Sequence, residues 1–169
     1  MISEKIKNLK TKADSMRKVH EHIIQIPAFV TRELLWKGLE EAARHPERFV
    51  EHMEGCEILS ENLLEEALHL TREVSFGAGF SLRDKVILKQ GESVTTMVEE
   101  GKSWPASVFI MKIEEPEPGS LFVRFVYEAE EPAEALNPMV EELRCQAYEA
   151  KDAAMIESIL KDIPQGNPF

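Results

Sequence analysis

The sequence predicts an α+β fold in which a curved antiparallel sheet of seven strands wraps around a long C-terminal helix, with two short helices after the first strand. The first observation is that turn residues divide residues 68–127 into short runs of alternating apolar and polar side chains, which is typical of antiparallel strands. The second is that residues 31–43 begin with a favourable helix N-cap and continue with apolar residues at helical spacing. The third is a stretch of about 25 residues after Pro138 without glycine or proline. Strands grouped between helices indicate an α+β protein, and 169 residues fit one domain.

The N-terminal segment differs in charge from the rest of the chain. Residues 1–18 carry six lysines and arginines against Glu4 and Asp14, a net charge of +4. We predict an N-terminal extension over residues 1–18, one domain over residues 19–163 and a C-terminal tail over residues 164–169. The extension is either a basic arm that docks on an acidic partner or on its own acidic domain, or a frayed terminus.

The first strand and the first helix follow in order. Alternation over residues 20–26 predicts a strand with His22 on its interior face. Thr31 is a favourable N-cap for a helix over residues 31–43, which a proline then stops. A short second helical turn is expected over residues 47–50, and a short strand is expected over residues 56–59.

The central hairpin has one register that matches every side chain to a suitable partner. Residues directly opposite in an antiparallel pair point to the same face, so centring the turn on Ala78 places Arg72 opposite Asp84. An unpaired charge on an apolar face would be too costly, so we expect these two residues to pair inside a concave apolar interior. The remaining pairs are apolar: Val74 with Leu82, Leu70 with Val86, and Leu68 with Leu88.

Three further strands complete the predicted sheet. After a turn at Gly91, Val94, Thr96 and Val98 are expected opposite Leu88, Val86 and Asp84. The following hairpin, centred on Glu117, is predicted to pair Ile113 with Leu121, Met111 with Val123, Phe109 with Phe125 and Ser107 with Tyr127.

The C-terminal helix is predicted from its caps and its length. Asn137 is a good N-cap and Pro138 fits the first helical position. We expect an apolar stripe to face the sheet, in which the alanines allow either close packing or room for a ligand. The predicted stripe comprises Val140, Leu143, Ala147, Ala150 and Ala154, followed by Ile156, Ile159, Leu160 and Ile163.

Composition excludes several classes of function. A net charge of −11 argues against a nucleic-acid partner. No run approaches the roughly 20 apolar residues of a membrane span, and no apolar secretory signal is present, so a cytoplasmic location is expected. Cys56 and Cys145 are predicted to be free thiols. Without a phosphate-binding glycine loop or a metal-ligand spacing, no cofactor and no metal site are predicted.

Four segments resemble a known family. They are residues 34–39 (LLWKGL), 43–50 (ARHPERFV), 55–59 (GCEIL) and 72–77 (REVSFG). In order and spacing they resemble the AtaL-like subfamily of the SRPBCC superfamily, over about residues 20–163. The resemblance implies the helix-grip fold of START and Bet v 1-like proteins and a deep apolar ligand cavity, but no particular activity. The basic segment before Val19 and the Glu-rich residues 62–66 depart from the family pattern.

Polar groups on the predicted interior face are the candidate functional residues. Arg72, held by Asp84, either presents its guanidinium to an anionic ligand or forms an internal ion pair. His22 either donates to the ligand or is a hydrogen-bonded core histidine. The complete predicted ligand-binding set is His22, Arg72, Asp84, Thr96, Phe109, Met111, Phe125, Tyr127, Leu143 and Ala147.

The expected function is binding of a small hydrophobic ligand, anionic or aromatic in character, in the internal cavity. One alternative is an enzyme that resembles a polyketide cyclase or aromatase, with its catalytic residues unassigned. A second alternative is a protein-interaction module without a functional cavity, which would need an exposed apolar patch. The sequence leaves the oligomeric state open, with a homodimer among the alternatives.

Overall fold

The computed structural model describes residues 16–131 and 137–164, which form seven strands and two α-helices joined by turns. The helices are α1 (Arg32–Arg44) and α2 (Pro138–Lys161), and a 3₁₀ turn (Pro46–Arg48) follows α1. The strands are β1 (Arg17–Gln25), β2 (Met53–Leu64), β3 (Ala67–Phe76), β4 (Ser81–Lys89), β5 (Ser93–Val98), β6 (Ser107–Glu117) and β7 (Ser120–Ala129).

The strands form one antiparallel sheet in the order β1-β7-β6-β5-β4-β3-β2. Strands β2 to β7 are consecutive neighbours, and β1 reaches the far edge by pairing with β7. The core lies between one face of this sheet, α1 and the C-terminal half of α2. The predicted fold class is therefore confirmed, including the seven-stranded sheet and the long C-terminal helix.

Both helices begin at the predicted capping residues. Thr31 Oγ1 accepts a hydrogen bond from the Leu34 amide at 3.2 Å, and Asn137 Oδ1 accepts one from the Met139 amide at 2.9 Å. Each bond satisfies an amide that has no partner within its helix. The short 3₁₀ turn after α1 corresponds to the predicted second helical segment.

Gly38 brings the two helices together. A Cβ atom at this position would lie 2.3 Å from Cγ2 of Ile159 on α2, closer than any real side-chain contact. The absence of a side chain on Gly38 therefore lets the α1 backbone rest directly on α2. The glycine of the LLWKGL segment thus has a packing role.

The β3–β4 and β4–β5 registers agree with the sequence prediction. Arg72 pairs with Asp84, and the flanking apolar pairs are also as predicted. Thr96 lies opposite Val86, as expected. The turn places Ala78 at φ 66° and Gly79 at φ 72°, a left-handed conformation that reverses the chain in a short distance.

The β6–β7 register differs from the prediction by two residues. Phe109 lies opposite Tyr127 and Met111 opposite Phe125. The chain turns at Pro118 and Gly119, the latter at φ 83°, as the proline-glycine preference of a type II turn requires. A shift of two leaves every side chain on its predicted face, so alternation alone could not distinguish the two registers.

Strand lengths and boundaries also differ from the prediction. Strand β2 spans 12 residues, longer than the predicted run of residues 56–59. Strand β1 begins at Arg17, so the last residues of the predicted N-terminal extension belong to the sheet. Residues 1–15 of that extension and residues 165–169 of the predicted tail lie outside the described residues.

The N-terminal half of α2 is rotated relative to the prediction. Val140 is 57% exposed and Leu143 is 61% exposed, and Ala147, Ala150 and Ala154 are exposed as well. The buried positions are instead Met155, four residues before the buried Ile159, and Asp152, three residues before Met155. The predicted apolar stripe is therefore wrong before Met155, because the inward positions in that half of the helix are polar.

Candidate ligand-binding site

A cavity of about 210 Å³ lies between the sheet, the end of α1 and α2. Its lining is apolar apart from Arg72, Thr96, Lys151 and Asp152. The apolar lining residues are Ala42, Ala43, Pro46, Phe49, Val50, Met53, Phe76, Val94, Phe109, Met111 and Met155.

Arg72 is held on all three of its nitrogens at one side of the cavity. Its Nε donates to Asp84 Oδ1 at 2.8 Å, and its Nη2 donates to Asp84 Oδ2 at 2.6 Å. Its Nη1 donates to the carbonyl oxygen of Ala43 at 2.6 Å, which ties the sheet to the end of α1. Arg72 and Asp84 are each 5% exposed. This geometry is that of an internal ion pair, and a ligand contact through the remaining N–H groups stays a prediction.

Asp152 lies at the centre of a second polar cluster. Its side chain is fully buried, and its Oδ2 lies 2.7 Å from His22 Nε2. The Tyr127 hydroxyl donates to both carboxylate oxygens, at 2.8 and 2.7 Å. The cluster therefore connects β1, β7 and α2 through one carboxylate.

Burial dominates the electrostatics of this cluster. It raises the pKa of Asp152, against the opposing effects of Lys151 and of the hydrogen bonds from Tyr127 and His22. Burial also raises the pKa of Tyr127, and the neighbouring Asp152 carboxylate raises it further. Tyr127 consequently remains a neutral hydrogen-bond donor across the physiological pH range.

Lys151 brings an amine to the cavity wall. Its Nζ lies 4.4 Å from the ring centroid of Phe109, 5.0 Å from that of Tyr127 and 5.9 Å from that of Tyr148. Asp152 Oδ1 lies 3.8 Å from Nζ, which is ion-pair distance but beyond an ordinary hydrogen bond. Burial lowers the pKa of the lysine, and Asp152 opposes that change.

A smaller cavity of about 170 Å³ lies on the other side of Phe109 and Thr96. Tyr127 and Tyr148 line it and stack with their ring centroids 3.9 Å apart and their planes at 9°. Arg144 Nε donates to the Tyr148 hydroxyl at 2.9 Å. Aromatic side chains thus separate the two spaces.

The predicted site residues fall into three groups. Arg72, Thr96, Phe109 and Met111 line the larger cavity, whereas Tyr127 lines the smaller one, and contact of these residues with a ligand stays a prediction. His22 and Asp84 are not among the lining residues, but they contact Asp152 and Arg72 respectively, which are. Phe125 is fully buried in the core and stacks on His22 at 5.0 Å. The prediction that Leu143 and Ala147 line the cavity is wrong, because both lie on the exposed face of α2.

Sequence reasoning missed the polar residues that α2 contributes. Lys151 and Asp152 sit one helical turn before Met155, which is 7% exposed. Extending the buried isoleucine stripe backwards by three and four residues would have located them. Their charge suggests exposure to solvent, whereas the helical period of the isoleucines places them on the buried face. The two residues were missed because the charge was given more weight than the period.

A protein-family model matches most of the chain. Residues 25–165 match the family AtaL, described as acetylaranotin biosynthesis cluster protein L. No curated protein matches the chain.

Solved structures share the fold at low sequence identity. The chain is similar to Ara h 8.0201, with 13% identity, a TM-score of 0.60, and coverage of 87% of this chain and 99% of that one. It is similar to a START superfamily protein from Mycobacterium smegmatis, with 14% identity, a TM-score of 0.58, and coverage of 86% and 97%.

A third similar structure is the di-domain aromatase/cyclase StfQ from the steffimycin biosynthetic pathway, with 11% identity and a TM-score of 0.57. The match covers 89% of this chain, which spans about half, 51%, of that di-domain protein. In residues 16–131 and 137–164, neither helix is long and apolar enough to cross a membrane.

Proposed function

Since the chain belongs to the AtaL family, described as acetylaranotin biosynthesis cluster protein L, we propose that it binds a small, largely apolar molecule in the cavity beneath α2. The family match agrees with the resemblance found in the sequence, and the fold is that of START and Bet v 1-like proteins. The proposal depends on one observation, the apolar cavity with four polar side chains in its wall.

The cavity suits a compact ligand. Its volume of about 210 Å³ is below the roughly 300–1,000 Å³ that is usual for drug-sized ligands. The ligand is therefore small, or inserts one end into the cavity. Phe49, Phe76 and Phe109 supply flat aromatic walls, which favour an aromatic or planar unsaturated group.

The polar wall favours an oxygen at one end of the ligand. Lys151 and Arg72 both line the cavity, and the Lys151 amine and the two N–H groups that Arg72 leaves unused are the available donors. Asp152, by contrast, already accepts from Tyr127 and contacts His22. A carboxylate, phenolate or carbonyl oxygen would match the donors without displacing an internal bond.

A cavity-filling variant tests the proposal. Met155 lines the cavity and Ala154, next to it, is exposed, so Met155→Trp adds an indole inside the cavity whereas Ala154→Trp adds one at the surface of α2. Binding of benzoate, phenol and benzyl alcohol is followed by amide NMR shifts of cavity residues. We expect binding to wild type and to Ala154→Trp, and its loss in Met155→Trp.

The folded state of each variant is checked by circular dichroism, because overpacking costs about 1–3 kcal/mol. Equal binding by folded Met155→Trp and wild type would show that these molecules bind elsewhere. Absence of binding to wild type by all three probes, and by a wider panel of small aromatic acids, would contradict the proposal.

Catalysis of the cyclase or aromatase type is a second candidate. It is favoured by the Lys151 amine and the Asp152 carboxylate at the cavity wall and by the Tyr127 phenol, which lines the smaller cavity and donates to that carboxylate. Together these groups could move a proton. Tyr127→Phe tests it: a polyketide substrate turned over by wild type should be turned over more slowly by this variant at unchanged substrate binding. Equal rates would exclude Tyr127 from the chemistry.

The interaction-module alternative needs an exposed apolar patch, and the first turns of α2 carry one. Met139 is 71% exposed, and Val140 and Leu143 are 57% and 61% exposed. This alternative predicts that Leu143→Ser weakens self-association or partner binding while leaving binding in the cavity intact. Unchanged association would count against it.

A further inference from the structure

Lys151 is the amine that lines the cavity, and binding alone makes no use of its nucleophilicity. We infer that Lys151 captures the carbonyl carbon of a small apolar aldehyde or ketone as a reversible imine. This inference rests on the proposed function, because the carbonyl compound must first enter the cavity.

The amine is positioned by aromatic faces. Phe109 and Tyr127 lie under Nζ at 4.4 and 5.0 Å, and Phe109 also lines the cavity. The rings limit the positions of an otherwise flexible side chain, so the nitrogen is held at the wall where a ligand would lie. An imine requires this approach of nitrogen to carbon.

Lys151 differs from the other lysines of the described residues. They are all exposed, whereas Lys151 is half-buried. Burial lowers its pKa, so a larger fraction of this amine is in the neutral, nucleophilic form than at a surface position.

Asp152 supplies the proton transfers that imine formation needs. Its Oδ1 lies 3.8 Å from Nζ, and the carboxylate is fixed by Tyr127 and His22. Burial raises the pKa of this carboxyl, which suits a group that must both accept and return a proton.

The step balances without any co-reactant. The Lys151 ammonium passes one proton to Asp152, and the nitrogen lone pair forms a bond to the carbonyl carbon as the carbon–oxygen π bond breaks. Transfer of the second amine proton to oxygen gives a neutral carbinolamine. Asp152 then returns its proton to that oxygen, and the carbon–oxygen bond breaks to release water. The product is a protonated imine whose positive charge lies beside the Asp152 carboxylate, in place of the original ammonium.

Reductive trapping tests the inference. Wild-type protein is incubated with benzaldehyde and sodium cyanoborohydride near pH 6.5, and labelled lysines are identified by peptide mass mapping over time. We expect Lys151 to be labelled at least about tenfold faster than the exposed lysines, because acid–base assistance alone contributes about 10²–10⁴-fold in favourable sites. Labelling at this position should vanish in Lys151→Met and remain in Ala154→Trp.

Benzyl alcohol separates this inference from the proposed function, since it matches benzaldehyde in size but cannot form an imine. If benzyl alcohol shifts the amide signals of cavity residues and Lys151 is labelled no faster than the exposed lysines, the imine is excluded while binding stands. If benzyl alcohol does not bind and the labelling is uniform, both fail. Rapid labelling that benzyl alcohol suppresses supports both.

The role of Asp152 has its own readout. Asp152→Asn keeps the side-chain size and should slow the labelling of Lys151 by at least about tenfold when the rates are compared at saturating benzaldehyde. Equal labelling rates in a folded Asp152→Asn protein would remove Asp152 from the proton transfers.

Discussion

Arg72 and Asp84 form a two-bond ion pair across adjacent strands, with Nε–Oδ1 at 2.8 Å and Nη2–Oδ2 at 2.6 Å. Both residues are 5% exposed, so each charge depends on the other for compensation. The same guanidinium also holds the Ala43 carbonyl at 2.6 Å. One arginine therefore connects the central hairpin to the helix that borders the cavity.

Breaking this pair should be strongly destabilising. We expect Asp84→Ala to lower the free energy of unfolding by about 3–5 kcal/mol, because it leaves a buried guanidinium uncompensated. The double variant Arg72→Met/Asp84→Leu should lose less, since no buried charge remains. Urea denaturation of the two variants checks this, and a greater loss in the double variant would contradict it.

Loss of the Tyr127 hydroxyl should weaken the folded state. Tyr127→Phe removes the donor to a fully buried Asp152 carboxylate, so we expect a loss of about 1.5–3 kcal/mol in the free energy of unfolding. Tyr148→Phe is the matched control, because among the described residues that hydroxyl accepts only from the half-buried Arg144. Thermal and urea unfolding should show a smaller effect for Tyr148→Phe. Equal losses in the free energy of unfolding would mean that the hydrogen bond from Tyr127 to Asp152 contributes no more to stability than the one between Arg144 and Tyr148.

Gly38→Ala should be unfavourable despite the higher helix propensity of alanine. The new Cβ would meet Ile159 Cγ2 at 2.3 Å, and overpacking costs about 1–3 kcal/mol against a propensity gain of about 1 kcal/mol. The comparison variant is Ile159→Ala, which removes the opposing side chain. In a double-mutant cycle measured by urea unfolding, Gly38→Ala should cost less in that background. Additive effects would contradict a direct clash.

The Glu131–Arg144 pair predicts part of the acid sensitivity. Two Arg144 nitrogens donate to Glu131 at 2.7 and 3.0 Å, and this bonding lowers the pKa of Glu131 below its usual 4.5. A carboxylate with a lowered folded-state pKa adds stability that is fully present above the unfolded value and is lost as pH falls through the folded value.

Glu131→Gln should therefore be less stable than wild type by about 1 kcal/mol at pH 7, and the difference should shrink below about pH 4.5. Glu142→Gln, at an exposed position on α2, is the control and should leave the stability curve unchanged. Urea midpoints measured from pH 3 to pH 7 test this. A difference that grows toward low pH would contradict the assignment.

The local sequence pattern was sufficient to predict the register of the central hairpin, β3–β4. Alternation and the even sum of residue numbers placed Arg72 opposite Asp84, and the structure confirms that pair. The same reasoning failed at the β6–β7 hairpin, where Phe109 faces Tyr127 and not Phe125. Both registers satisfy the alternation, and the position of the Pro118–Gly119 turn decides between them.

The candidate site was predictable only in part. Arg72, Thr96, Phe109 and Met111 were found because strand periodicity assigns each residue to a face. Lys151 was missed because the apolar stripe of Ile156, Ile159 and Ile163 was not extended backwards onto residues that are polar themselves.

By itself, the sequence determined the order of elements, the helix caps at Thr31 and Asn137, and the face on which each strand residue lies. These features depend on backbone preferences and on contacts between residues close in the chain. Only the tertiary structure decided the rotation of α2, the cavity, and the contact of His22 with Asp152, 130 residues apart. In the sequence, the alanines and the isoleucines of α2 mark two different helix faces. Only the packing of the isoleucines against α1 and the sheet decided which of the two faces is buried.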